Sequence, residues 1–266
     1  MHPKSSFDVG HILWTLTFAA QLVLLVVLVG RNRARRFPWF TAGVALFAFR
    51  LMADVLLSGR MANIPFRMIS GSLSDLSVVV SLLVVVEVAR RAFAGLQRSL
   101  WIVNAVGLAV LCCGIMALWG PWPPMKMLMD FSTLGVLRLM QFLAQKGEML
   151  VSLLSVGLGI MVVFFGRRYK AGWRTHAQQI VIGLSAVGVS FLVIYQALQS
   201  ILRSVRPDLP RPEVDRIVAL IGKLENANQV VYLAALLWWI AWLWLDEPGT
   251  QAAEAEAANE EPLSAD

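Results

Sequence analysis

Residues 9–36 read VGHILWTLTFAAQLVLLVVLVG followed by RNRARR, and this junction decides the fold. From Val9 to Gly30 there is no Asp, Glu, Lys or Arg. At 1.5 Å per residue the run makes a helix about 33 Å long, enough to cross a hydrocarbon core of about 30 Å. Only Lys4 precedes it, whereas Arg31, Arg33, Arg35 and Arg36 follow at once. A cleaved signal peptide has the reverse arrangement, with its positive charge in front and small residues at a cut site behind. The segment therefore reads as an uncleaved helix, with its N-terminus outside and its basic end held in the cytoplasm.

The pattern recurs along the chain. Further apolar spans run over Trp39–Leu57, Leu73–Val88, Leu100–Trp119, Phe131–Gly166, His176–Leu202 and Ile217–Leu245. The fourth span is closed by Gly120, Pro121, Trp122, Pro123 and Pro124, which cannot continue a helix. Of all residues, 58% are hydrophobic and 15% charged. A soluble domain carries about a quarter of its residues charged, so the shortfall points to a bilayer. The three loops expected in the cytoplasm hold four, three and four Lys or Arg, and the four outer segments hold one, two, one and four. That bias favours seven helices with the N-terminus out and the C-terminus in. The last outer loop, which also carries Asp208, Glu213 and Asp215, departs from the rule.

Residues 1–246 form one seven-helix domain on this reading, and 247–266 an acidic, disordered cytoplasmic tail without the apolar residues needed for a core. The net charge of +6 lies in packets at span ends and not along one stripe. It signals topology, and nucleic acid is not an expected partner. Trp39, Trp101, Trp173, Trp119, Trp122 and the group Trp238, Trp239, Trp242 and Trp244 suit interfacial anchors. The only cysteines, Cys112 and Cys113, point about 100° apart on a helix and read as small apolar filler.

Ionisable groups within a span cost several kcal/mol unless paired or hydrated. Arg50 and Asp54 lie four apart on one face of the second span, either as an internal ion pair or as part of a ligand site. In the fifth span Arg138, Gln141, Gln145, Glu148, Ser152 and Ser155 recur at steps of three and four, within an arc of about 100°. This span is too long for the bilayer, so it either projects on the outer side or bends near Gly147. The seventh span opens with Lys223, Glu225, Asn226, Asn228 and Gln229. The sixth carries Gln196, Gln199 and Arg203, the first opens on Asp8 and His11, and the third on Asp75.

Under the assigned topology these groups lie in the outer half. Glu87 and His176 are the exceptions, beside arginines able to partner them. Two readings remain open: spans five to seven protrude and turn polar where water begins, or an outward polar cavity lies between spans two, three, five, six and seven.

The chain holds no Walker-type phosphate loop, HExxH, nucleophile elbow or paired CxxC. Its three histidines, His2, His11 and His176, are scattered. No cofactor or metal site and no enzymatic constellation is expected. Lys223 invites comparison with the Schiff-base lysine of retinal proteins but sits too near the outer end, among polar neighbours. Small sugar transporters built as three plus one plus three helices share the span count, but their proline–glutamine pairs are missing. The stretches "RRFPWF", "RRAFAGLQR", "QKGEMLVSLLSVGLG" and "RRYKAGW" resemble a group of bacterial seven-helix membrane proteins that has no assigned activity. The resemblance covers the spans but not the tail, and it implies an inner-membrane location.

The functional expectation is a receptor or sensor subunit. It would bind a small polar or zwitterionic ligand from outside through Arg50, Asp54, Asp75, Arg138, Gln141, Gln145, Glu148, Lys223 and Asn226. A transporter or channel component, a structural or assembly membrane protein and, last, a membrane-embedded enzyme acting on lipid are the other readings. A receptor with such short cytoplasmic parts needs a protein partner to signal. Reporter fusions test the topology: the 203–216 loop is expected to report an outer location and the C-terminus a cytoplasmic one.

Overall fold

The computed structural model describes residues 9–57, 59–94, 98–120, 122–124, 129–130, 132–165, 175–204 and 210–246. The acidic tail, Asp8, Asp208 and the basic segment 167–174 lie outside the described residues. Among the described residues there are eight helices and no strand. They are α1 (Val9–Gly30), α2 (Arg33–Arg36), α3 (Pro38–Leu57), α4 (Asn63–Ala92), α5 (Arg98–Leu118), α6 (Thr133–Phe165), α7 (His176–Ser204) and α8 (Arg211–Trp244).

Six of them, α1, α3, α4, α6, α7 and α8, are long and apolar enough to cross a membrane. The apolar part of α5, Ile102–Leu118, is shorter. At about 25 Å it falls short of a typical core thickness. The six long helices close into a ring in chain order: α1 on α3, α3 on α4, α4 on α6, α6 on α7, α7 on α8, and α8 back on α1. Helix α4 also touches α7 across the middle, and α5 packs outside the ring against α6.

One end of the ring, the basic end, is tied together by charge. The Arg33 Nη1 donates to His176 Nδ1 at 3.0 Å, and Nη2 donates to Leu245 O at 3.2 Å and to Asp246 at 3.1 Å. Because a guanidinium only donates, His176 Nδ1 must accept, leaving Nε2–H to donate to Leu245 O at 2.9 Å. Glu87 takes the other expected arginine, Arg91, at 3.8 Å. It also does something its sequence position does not reveal: Oε2 accepts the backbone N–H of Phe40 at 3.0 Å. The first turn of α3 has N–H groups without intrahelical partners, and Pro38 needs none. A carboxylate from α4 therefore caps α3.

From that end the interior is filled by Leu24, Leu28, Phe40, Val84, Val88, Leu158, Ile180, Leu236, Trp239 and Leu243. Phe40 meets Trp239 edge-on, with ring centroids 5.2 Å apart.

Two span boundaries differ from the sequence reading. Helix α4 begins at Asn63 and not at Leu73, with Ile64, Phe66 and Met68 extending it beyond the expected span. Helix α8 begins at Arg211, before Ile217, with Pro212 tolerated in its first turn. Helix α6 runs through Gly147 without interruption for 33 residues, about 50 Å.

Gly147 serves close approach, since it lies against Val78 of α4, and Gly71 of α4 lies against Met140. The seam between α6 and α7 is built from Ser152, Ser155 and Gly159 against Ser185 and Gly188. Small residues let two backbones close without a hydrophobic drive between them. Ser185 Oγ lies 2.6 Å from Ser155 O and 2.8 Å from Val181 O. Two members of the polar stripe read from the sequence, Ser152 and Ser155, thus pack helices together.

A methyl group added at Gly147 has to displace Val78, whereas Gly114 on α5 has open space around it. Gly147→Ala should lower stability by about 1–3 kcal/mol, the usual cost of overpacking. Gly114→Ala should keep or slightly raise it, by up to about 1 kcal/mol from helix propensity, as read by thermal denaturation in detergent.

Candidate functional site

Polar side chains gather inside the ring in the half away from the basic end. On α3, Gly43, Phe47, Arg50 and Asp54 recur at helical spacing and form one stripe. Gly43 packs on Val80 and Val84 of α4, and Phe47 tilts against Tyr232 of α8 with centroids 6.4 Å apart. Asp54 Oδ1 accepts from Ser70 Oγ at 3.2 Å. Arg50 is half-buried and lies within electrostatic range of Glu148 on α6.

The α4 wall carries Ser70, Ser74, Ser77 and Ser81, again at steps of four, three and four, on the face toward α3 and the interior. Ser74 and Ser77 are buried, and Ser77 Oγ donates back to Leu73 O at 2.7 Å. Across the ring Ser190 of α7 donates to Asn228 Oδ1 of α8 at 2.9 Å. Gln21 of α1 donates to the Tyr232 hydroxyl at 3.0 Å.

The contacts Gly71–Met140 and Gly147–Val78 fix α4 and α6 in parallel register, so Glu148 is level with Val79. Arg50, Ser74, Ser77 and Glu148 thus occupy about two turns of depth. Beyond them, toward the basic end, the apolar layer of Phe40, Trp239 and Leu236 closes the interior.

Arg50 and Glu148 thus come within electrostatic range of each other, while Asp54 lies nearer the end opposite the basic one, level with Ser70. Arg50 and Asp54, although four apart, do not form an ion pair among the described residues: Asp54 bonds to Ser70 instead. Gln141 lies within about 20° of Glu148 on the same helix, nearer the end opposite the basic one, and is exposed.

The remaining expected site residues point elsewhere. Gln145 and Arg138 are exposed and turned about 60° and 80° from Glu148. Asp75 is about 120° from the serine stripe, with one carboxylate oxygen buried and without a hydrogen-bond partner. Lys223 is exposed on the side of α8 about 180° from Tyr232, and Asn226, half-buried, is about 120° away. Spacing in the sequence gives depth along a helix, whereas the angle around it depends on which neighbours the helix packs against.

Two features escaped the sequence reading. The serine stripe was visible in its spacing but masked by the apolar residues between the serines. Lys146, next to Gln145 but outside the polar arc, is 6% exposed. Its Nζ donates to Trp119 O at 2.7 Å and sits 5.0 Å from the Trp122 ring and 5.9 Å from Phe142. Trp119 in turn donates from its indole to Gln196 at 2.9 Å. A lysine in a span, opposite the polar arc and close in the chain to a Trp-rich turn, was the available signal. The ammonium pins residues 119 and 122 against α6 by hydrogen bonding and cation–π attraction.

At the start of α6, Ser132 Oγ accepts from Gly135 N at 3.1 Å, and Ser132 N donates to Asp130 at 3.0 Å. These bonds from Ser132 hold the Asp130 carboxyl below the usual carboxylate range. The help they give the first turn of α6 is present above the ordinary carboxylate pKa and fades as pH falls through the lowered one.

Among the described residues no three His, Cys, Asp or Glu side chains meet as a metal site. The interior offers charge of both signs and several hydroxyls. No protein-family model matches the chain, and neither a curated protein nor a solved structure is significantly similar to it.

If Arg50 and Glu148 act as a pair, Arg50→Met and Glu148→Gln should each destabilise the protein, and the double variant should recover part of the loss. Thermal unfolding of the four proteins should give a coupling of about 0.5–3 kcal/mol.

Proposed function

We propose that this chain is a receptor-like protein of the cell inner membrane that binds a small polar ligand carrying both charge signs. The binding site is the interior lined by Arg50, Asp54, the serines of α4 and Glu148. The observation that carries the reading is the division of the ring. Charged and hydroxyl side chains fill the half opposite the basic end, and an apolar layer closes the other half. A site with a closed floor suits capture of a ligand better than free passage through a channel.

The orientation belongs to the same proposal: seven spans including α5, the N-terminus outside and the C-terminus in the cytoplasm. It is supported by the collection of Arg31, Arg33, Arg35, Arg36, Arg90 and Arg91 at one end of the ring. Helices α6 and α8, at 33 and 34 residues, then project on the outer side, where the charged first turns of α8 meet water. A guanidinium beside a carboxylate, with a second carboxylate held by a serine, matches an amino acid or a similar zwitterion. Signal output would pass through a protein partner docking on the basic cytoplasmic loops.

Full-length protein in lipid nanodiscs should show a thermal shift with at least one member of a panel of amino acids and betaines. Arg50→Met and Asp54→Asn should weaken that binding about tenfold or more, the loss of one charge-assisted hydrogen bond. Flux of the same compound into proteoliposomes, abolished by Asp54→Asn, would make the protein a transporter. No shift with any compound, together with unchanged behaviour of both variants, would remove the basis of the proposal.

A further inference from the structure

Where the polar interior meets the apolar floor, four side chains carry hydrogen-bonding capacity that the fold does not use. Gln21 and Thr17 lie on one face of α1 and are 1% and 2% exposed. Gln21 Nε2 meets the Tyr232 hydroxyl, but its Oε1 has no partner, and neither does Thr17 Oγ1. The Tyr232 oxygen accepts from Gln21, so its own O–H remains to donate. Asn228 accepts from Ser190 through Oδ1, so its amide N–H groups also remain.

The register of α1 and α8 brings these atoms to one place. The contacts Gln21–Tyr232 and Arg33–Leu245 show that the two helices run parallel with nearly the same offset at both points. Thr17, one turn before Gln21, is therefore level with Asn228, one turn before Tyr232. Thr17 and Gln21 on α1, and Asn228 and Tyr232 on α8, thus stand at two matching levels beside the α1–α8 seam.

We infer that Thr17, Gln21, Asn228 and Tyr232 form a hydroxyl-recognising subsite at the closed end of the polar interior, occupied by water or by a hydroxyl group of a ligand. The donor and acceptor balance selects the chemistry. The amide oxygen of Gln21 wants a donor, the Tyr232 hydroxyl and the Asn228 amide want an acceptor, and Thr17 takes either role. A hydroxyl or a water donates and accepts at once, and a buried water settles with about three such partners. An ammonium or a carboxylate would find no opposite charge among the four, and an alkyl group would leave all of them unsatisfied. The subsite deepens the interior described above, but it stands on these four side chains whether or not a zwitterion binds beside Arg50.

A structure of the full chain in nanodiscs, at a resolution that shows ordered water, tests this directly. Maps are needed in buffer without polyol and in buffer with glycerol, for the wild type and for Thr17→Val. The inference predicts wild-type density within hydrogen-bonding distance of Thr17 Oγ1 and the Gln21 amide, lost in Thr17→Val and retained in Thr17→Ser. Density of water size in both buffers identifies water, and density that grows in glycerol identifies a ligand hydroxyl. An empty seam in both wild-type maps would overturn the inference, as would density unaffected by Thr17→Val. If Thr17→Val does not fold, the wild-type and Thr17→Ser maps decide alone. A failed zwitterion screen would not alter these maps, so the two proposals fail separately.

Discussion

A polar side chain in a membrane-crossing helix has to face protein or water, because hydrocarbon offers it no hydrogen bond. The ring of six long helices meets that requirement by turning one stripe of each helix inward. Phe47, Arg50 and Asp54 share such a stripe on α3, Ser70 through Ser81 on α4, and Asn228, Tyr232 and Trp239 on α8. Where a stripe is polar the interior is polar, and where it is apolar the interior is closed. The position of the candidate site along the membrane normal follows from where each stripe changes character.

The ring holds its shape through two kinds of contact that do not rely on hydrophobic drive. Small residues let α6 approach both neighbours: Gly147 against Val78 of α4, and Ser152, Ser155 and Gly159 against α7. At the basic end, charge joins chain segments far apart in sequence. Arg33 links the α1–α3 connection to the start of α7 and the end of α8, and Glu87 caps α3 from α4. These caps and ties lie at the helix ends. Lys146, clamped under Trp119 and beside Trp122, instead fixes the end of α5 to the middle of α6.

Most of the architecture was legible before any coordinates. Six of the seven apolar spans appear as long helices, because charge at span ends and runs of about twenty apolar residues leave few alternatives. The fourth span was legible as a helix, α5, but its peripheral place on α6 was not, since sequence does not say which helices close a ring. The site was legible only in part. Spacing along the chain gives depth, which is how Arg50, Asp54 and Glu148 could be named as candidates. The direction of a helix face depends on its neighbours, and on that ground Arg138, Gln145, Asp75 and Lys223 were assigned to an interior they do not face. Ser152 and Ser155 look like a polar lining in sequence, yet a serine hydroxyl can bond to a backbone carbonyl and vanish into a packed seam. The serines of α4 show the converse, a lining hidden among valines and leucines.

The central claim is that the half of the ring away from the basic end is a water-accessible polar interior open to the outside. It is tested most directly by thiol labelling in intact cells, in a Cys112→Ala, Cys113→Ala background. Ser74→Cys lies on the inward stripe of α4 near the level of Arg50, above the apolar floor, and Leu76→Cys, 48% exposed, points nearly opposite, toward lipid. A small membrane-impermeant thiol reagent added outside should modify Ser74→Cys and spare Leu76→Cys. Protection of Ser74→Cys from outside, with modification only when the basic end is exposed to the reagent in inverted vesicles, would contradict the account.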